Sequence, residues 1–155
     1  MGTAKAAKST TPADGFSAEE RAAMKERAAE LKAAGRRGSG STKAAAEEAD
    51  LLAKIAAMPE PDRALAERIH AVVMAAAPEL APKLWYGQPA YALNGTVVCF
   101  FRSGQADKTR YSVVGFNEAA KLDEDGGMWP TSWALTGLSA AGEATLTELV
   151  RKAVR

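Results

Sequence analysis

The side chains best suited to holding a ligand are the aromatics Trp85, Tyr86, Tyr91, Trp129 and Trp133, with the amide of Gln88 set among them. Large π faces with polar edges suit a small organic ligand, a partner segment or a stacked base, so an aromatic cleft centred on Trp85, Tyr86 and Gln88 is one expected site. Nine of the ten aromatic residues fall between Trp85 and Trp133, and most of them must also build the core of a sheet. The single histidine, His70, lies about 120° from the centre of its helix's apolar stripe and is expected at the surface, near Arg63 and Glu67. The single cysteine, Cys99, stands between Val98 and Phe100 and is expected to be a buried, inert thiol. One His and one Cys cannot make a four-ligand zinc site or a disulfide. With no Walker-type phosphate loop and no nucleophile elbow, no residue is assigned a catalytic role and the chain is expected to be non-enzymatic.

The chain has 155 residues, of which 47% are hydrophobic and 25% charged, enough for one core that removes roughly two-thirds of the unfolded surface from water. No apolar run approaches the ~18 residues that span a bilayer, and no secretory signal stands at residues 1–11, so a cytoplasmic protein without a membrane partner is expected. The net charge of +1 conceals an asymmetry: residues 1–45 carry nine Lys/Arg against five Asp/Glu, and residues 46–155 carry eleven against fourteen. The basic arm is expected to be a solubilising tail, with nucleic acid touched at most weakly through it.

The elements that must position these residues follow from local signals. Residues 1–16 have too few apolar groups to offset their ordering entropy and are expected to be disordered. Ser17-Ala18-Glu19-Glu20 reads as a capping box that starts a helix ending at Gly35, followed by a Gly/Ser linker to residue 42. The stripe of that helix, Met24, Ala28 and Leu31, is thin, so it either docks weakly or projects. A main domain is expected over 43–155. Its helices should run from about Thr42 to Met58, with Leu51, Leu52, Ile55 and Met58 on one side, and from Pro61 to Pro78, with Leu65, Ile69, Val72, Val73 and Ala76 buried. From Lys83 the period changes toward two. Pro89 suits an edge strand or a bend, and Asn94-Gly95 joins Tyr91–Leu93 to Thr96–Arg102 as a hairpin. A polar loop over 103–108, a strand over Thr109–Phe116, a short helix or acidic loop over 117–127, a strand over Met128–Leu135 and a helix capped by Ser139 complete the chain. The order implies an α+β fold, an antiparallel sheet with helices packed on one face, plus an N-terminal helical extension.

A helix ending in Ala-Pro-Glu, the run Trp85-Tyr86-Gly87-Gln88-Pro89-Ala90-Tyr91, the Asn94-Gly95 turn, the strand Val97-Val98-Cys99-Phe100-Phe101, a second aromatic strand and a Leu/Val-rich C-terminal helix together resemble the YdhG-like domain family. The resemblance covers about residues 45–155, and Gln88 stands where members commonly have Met. The family includes a bacterial frataxin-type intracellular iron chaperone. The resemblance therefore implies a frataxin-like two-layer fold and loosely bound Fe(II) as cargo, passed to an iron-accepting client protein. It directs attention to Glu47, Glu48, Asp50, Glu60 and Asp62 as metal ligands, with Asp123-Glu124-Asp125 as the densest acidic run. Oxygen donors suit such a cation, although acids at helix starts and in loops are ordinarily dipole partners or solvated. A low-affinity Fe(II) carrier is thus the first functional expectation. An adaptor module that binds a small ligand or partner segment in the aromatic cleft, tethered by the basic arm, is the second.

Overall fold

The computed structural model describes residues 15–37 and 40–155. Most of the expected tail, up to residue 14, lies outside the described residues, as do residues 38 and 39 of the expected linker. The helices α1 (Ala18–Arg37), α2 (Ser41–Ala56) and α3 (Asp62–Ala76) come first. Then follow the strands β1 (Ala81–Trp85), β2 (Gln88–Leu93) and β3 (Thr96–Arg102), the short helix α4 (Gly104–Asp107), β4 (Ser112–Phe116), β5 (Ser132–Leu135) and α5 (Ala140–Ala153). The strands pair in sequence order as one antiparallel sheet, so the α+β class expected from the sequence is observed.

Cross-strand register determines which side chains share a face. Tyr91 stands opposite Cys99, Cys99 opposite Phe116, and Phe101 opposite Val114. All five are buried, and they form one core with Leu51 and Ile55 of α2, Leu65, Ile69 and Val73 of α3, and Leu146, Val150 and Ala153 of α5. Burying a large apolar side chain of this set contributes about 1.5–3 kcal/mol. The same face of the sheet thus carries α2, α3 and α5, and the opposite face carries none of these three.

Local chemistry accounts for the boundaries. Ser17 Oγ accepts the Glu20 amide at 3.0 Å and Ser139 Oγ accepts the Gly142 amide at 3.1 Å, so both expected N-caps form. Asn94 and Gly95 have φ of 51° and 84°, the positive values that a two-residue type I′ hairpin turn requires. Several expectations are corrected. Helix α1 passes through Gly35 to Arg37, because a glycine permits a helix to end without forcing it to, and Arg36 and Arg37 are good helix formers. Pro89 does not interrupt pairing, for it stands opposite Leu84 within β2, a strand paired on both sides. Leu52 is turned outward, 46% exposed. The expected loop after β3 is α4, whose N-cap Ser103 accepts the Ala106 amide at 3.1 Å. Thr109–Tyr111 closes that helix rather than starting β4, since the Thr109 amide donates to Gly104 O at 2.8 Å. Residues 117–127 contain no helix, and β5 begins only after Pro130, which has no amide to donate to a ladder.

Candidate functional site

The face opposite α2, α3 and α5 carries a row of three aromatic rings. Trp85 meets Tyr86 edge-on with centroids 5.0 Å apart, and on its other side meets Phe100 at 5.4 Å. Trp85 is on β1 and Phe100 on β3, so their rings close over the intervening β2, where Ala90, opposite Phe100, has no exposed surface. On the far side of Phe100 stands Gly115, and a Cβ there would lie 2.3 Å from the Phe100 ring tip. Small residues on both neighbouring strands thus let the ring lie flat. Trp85 and Phe100 are half-buried and Tyr86 is 38% exposed, so the row is open to solvent. Two hollows flank it. One, of about 470 Å³, is lined by Phe16, Met24, Tyr86, Arg102 and Asp107, and the other, of about 620 Å³, by Arg27, Lys83, Trp85, Thr96 and Asn117.

The turn that presents this row has a conformation that its sequence disguises. Tyr86 and Gly87 have φ of 51° and 75°, so β1 and β2 are joined by a second tight turn with both central residues at positive φ. Asn, Asp or Gly is the ordinary choice at the first of these positions, and a bulky residue there costs about 1–2 kcal/mol. The two turn amides point away from the strands, and the Glu30 carboxylate of α1 accepts both, from Tyr86 at 3.2 Å and from Gly87 at 2.7 Å. Arg27 donates to the same carboxylate at 3.3 Å and lies over the Tyr86 ring, 5.6 Å from its centroid. Charge-assisted hydrogen bonds of this kind contribute about 1.5–3 kcal/mol each and offset the strain.

Helix α1 therefore docks, but by a face other than the expected one. Its Met24 and Leu31 are exposed, at 40% and 57%, while Glu19, Ala23, Arg27 and Glu30 are turned inward. Lys108 pairs with Glu19 at 2.6 Å and Lys54 with Glu26 at 3.3 Å. The hydrogen bond from Lys108 holds the Glu19 carboxyl below its ordinary range. The stripe of Met24, Ala28 and Leu31 was too thin to drive docking, and polar contacts position the helix instead.

The other expected cleft residues do not join the row. Gln88 is 6% exposed and its side-chain oxygen accepts the Ser103 amide at 3.3 Å, so it holds β2 to the start of α4. Tyr91 is 1% exposed, in the core on the helix-covered face. Trp133 lies at the opposite edge of the sheet, where it meets Phe116 at 5.6 Å and shares a hollow with Trp129, Leu149 and Lys152. Phe100 belongs to the row and was not foreseen.

The acidic residues are dispersed. Glu47 pairs with Lys83 at 3.9 Å and lines, with Asp50, a crevice between α1 and α2 that also contains Arg27. Glu48 is close enough to His70 to act on its charge. Glu60, the residue before the N-cap Pro61, pairs with Arg63 at 2.8 Å and accepts the Ala64 amide of α3's first turn at 3.3 Å. Asp62, 6% exposed, accepts the Ser103 hydroxyl and the Gln105 amide, the latter at 3.1 Å, and so fastens α4 to α3. Glu124 pairs with Lys152 at 2.6 Å. Among the described residues, no three His, Cys, Asp or Glu side chains converge as a metal group.

His70 corrects a further expectation. It is half-buried, not a surface side chain, and its Nδ1 lies 2.9 Å from the Tyr91 hydroxyl. Burial pushes its pKa down, against a smaller opposing effect of Glu48. Cys99 is buried as expected, and burial pushes its thiol up to about 12. Among the described residues no helix is long and apolar enough to cross a membrane. No family model, no curated protein and no solved structure matches the chain, so the YdhG-like resemblance rests on the residues quoted for it.

Proposed function

We propose that the chain is a non-enzymatic binding module that offers the row Tyr86-Trp85-Phe100 to a flat aromatic ligand or to an aromatic side chain of a partner segment. The observation that carries this reading is the unbroken ring-to-ring contact of the row, edge-on at Tyr86 and tilted at Phe100, on the face opposite α2, α3 and α5, half-exposed and backed by Ala90 and Gly115. Rings fixed in advance lose little entropy on binding, and each stacked ligand ring gains about 1–3 kcal/mol. Carriage of Fe(II), implied by the family resemblance, finds no convergent carboxylate set among the described residues to support it. The test is a panel of aromatic fragments followed by side-chain NMR. Binding should shift the Trp85 indole N–H and the Phe100 ring, leave the Trp129 and Trp133 indoles unmoved, and be abolished in Trp85→Ala. Shifts confined to Trp129 and Trp133, or none at all, refute the proposal. Anaerobic Fe(II) titration of the same sample is the parallel arm, in which broadening at Glu47, Glu48 and Asp50 would favour the carrier.

A further inference from the structure

The surface beneath α1 is built to receive carboxylates. Along α1, Glu19, Glu26 and Glu30 are spaced seven and four residues apart, which places the three within about 20° of one line on a helix. Each meets a donor on the main domain: Glu19 the ammonium of Lys108, Glu26 that of Lys54, and Glu30 the paired amides of Tyr86 and Gly87. The last of these contacts is the most enclosed, with the Glu30 side chain only 14% exposed. Between and beyond the acids the helix turns small residues inward, Ala23, then Ala33 and Ala34, and no residue of α1 whose burial is described is fully buried. What holds α1 is thus a row of charges in a fixed spacing, with little apolar area behind it; the exposed ion pairs of Glu19 and Glu26 are weak and screened by salt, and the enclosed Glu30 contact is the strongest of the three.

We propose that this surface is a seat for an acidic helix, that α1 is its occupant in cis, and that a partner helix carrying carboxylates at positions i, i+7 and i+11 displaces α1 from it. The partner's chemistry is read from the seat. When α1 leaves, Lys108 and Lys54 lose their partners Glu19 and Glu26, and two turn amides lose their acceptor. Gly87 keeps the approach open, because a Cβ there would lie 1.6 Å from the Glu26 carboxylate. The seat is met through the backbone amides of Tyr86 and Gly87, and α1 touches the row at the Tyr86 ring through Arg27, so the seat is read at those two amides and the row at Trp85 and Phe100.

The test uses the full chain, labelled with nitrogen-15, with Glu19→Gln, Glu26→Gln and Glu30→Gln together, and a synthetic peptide of residues 15–37 with the natural sequence as the probe. Removal of the three charges should shift the Tyr86 and Gly87 amides, and the added peptide should return both to their positions in the unaltered chain. A second peptide with Glu30 and Ala28 exchanged has the same composition and charge but carries that carboxylate on the opposite side of the helix. It should bind about tenfold more weakly or worse, as the loss of a charged hydrogen bond implies, and leave the two amides unmoved. Equal binding by both peptides, binding by neither, or a triple variant whose Tyr86 and Gly87 amides match the unaltered chain overturns the proposal. Should the variant fold poorly, the unaltered chain decides: raising salt to ~1 M must move the same two amides and speed their hydrogen exchange, and amides that stay fixed overturn it.

Discussion

Two glycines in matching turns provide a measurement of how firmly α1 is held. Gly87 and Gly95 both occupy the second position of a two-residue turn, at φ of 75° and 84°. A Cβ at Gly95 meets nothing within 4 Å, whereas one at Gly87 collides with the side chain of Glu26. Gly95→Ala therefore reports the backbone strain alone, about 1–2 kcal/mol for an L-residue in the left-handed region. Gly87→Ala adds the displacement of Glu26 and with it the Lys54 contact. That side chain is 46% exposed and flexible at its end, so the addition should be about 0–1 kcal/mol and screened by salt. The assay is urea denaturation of both variants at low and high salt, read as the difference between them. An excess for Gly87→Ala above about 2 kcal/mol would mean that α1 is integral to the fold, contrary to the absence of buried side chains among those of its residues whose burial is described. A neutral Gly95→Ala would refute the turn conformation itself.

Asp62→Ala should cost about 2–3 kcal/mol, because it leaves the buried Ser103 hydroxyl and the Gln105 amide without their acceptor; urea denaturation checks the size, and a change below ~0.5 kcal/mol counts against the contact. His70 has a folded-state pKa below its unfolded value of 6.5, so the unfolded chain binds more protons in that window. Stability should be full above about pH 6.5 and be lost as pH falls through the lower folded-state pKa, and His70→Gln should flatten this part of the thermal stability profile. Cys99, whose thiol is pushed up to about 12, should react with a thiol reagent at pH 8 only as fast as the chain opens, so that the rate follows denaturant concentration.

Where a signal was local, the sequence announced the structure. Ser17 and Ser139 each stand three residues before the amide they accept, Asn94-Gly95 has the ordinary composition of its turn, and the stripes of α3 and α5 have the helical period. The Tyr86-Gly87 turn was hidden because tyrosine is a rare residue at positive φ, and its conformation is supported by Glu30, a residue distant in sequence. The docking face of α1 was hidden because carboxylates that dock leave no hydropathy period. Phe100 was missed for a third reason. Counting outward from the Asn94-Gly95 turn pairs Ala90 with Cys99, but the register shifts by one between Tyr91 and Ala92, and Ala90 stands opposite Phe100. A one-residue shift exchanges the two faces of a strand, and within an all-apolar run no alternation remains to reveal it. Trp85 and Tyr86 are adjacent in sequence and meet in the row, but the separation of Trp129 and Trp133 from them depends on strand order, which no local pattern encodes.

The strand order has a kinetic consequence. Every strand of the sheet pairs with its neighbour in sequence, and the first two connections are two-residue turns. Closing such loops costs little chain entropy, so β1 to β3 can zip together from either turn before any distant contact has formed. The connection from β4 to β5, residues 117–131, is the longest closure within the sheet, and the packing of α5 on α3 joins segments about seventy residues apart. The three-stranded unit that carries Trp85 and Phe100 should thus gather early, and the edge strand with α5 should complete the core late. Substitutions in the first two turns should accordingly slow folding, whereas substitutions such as Leu146→Ala in α5 should chiefly speed unfolding.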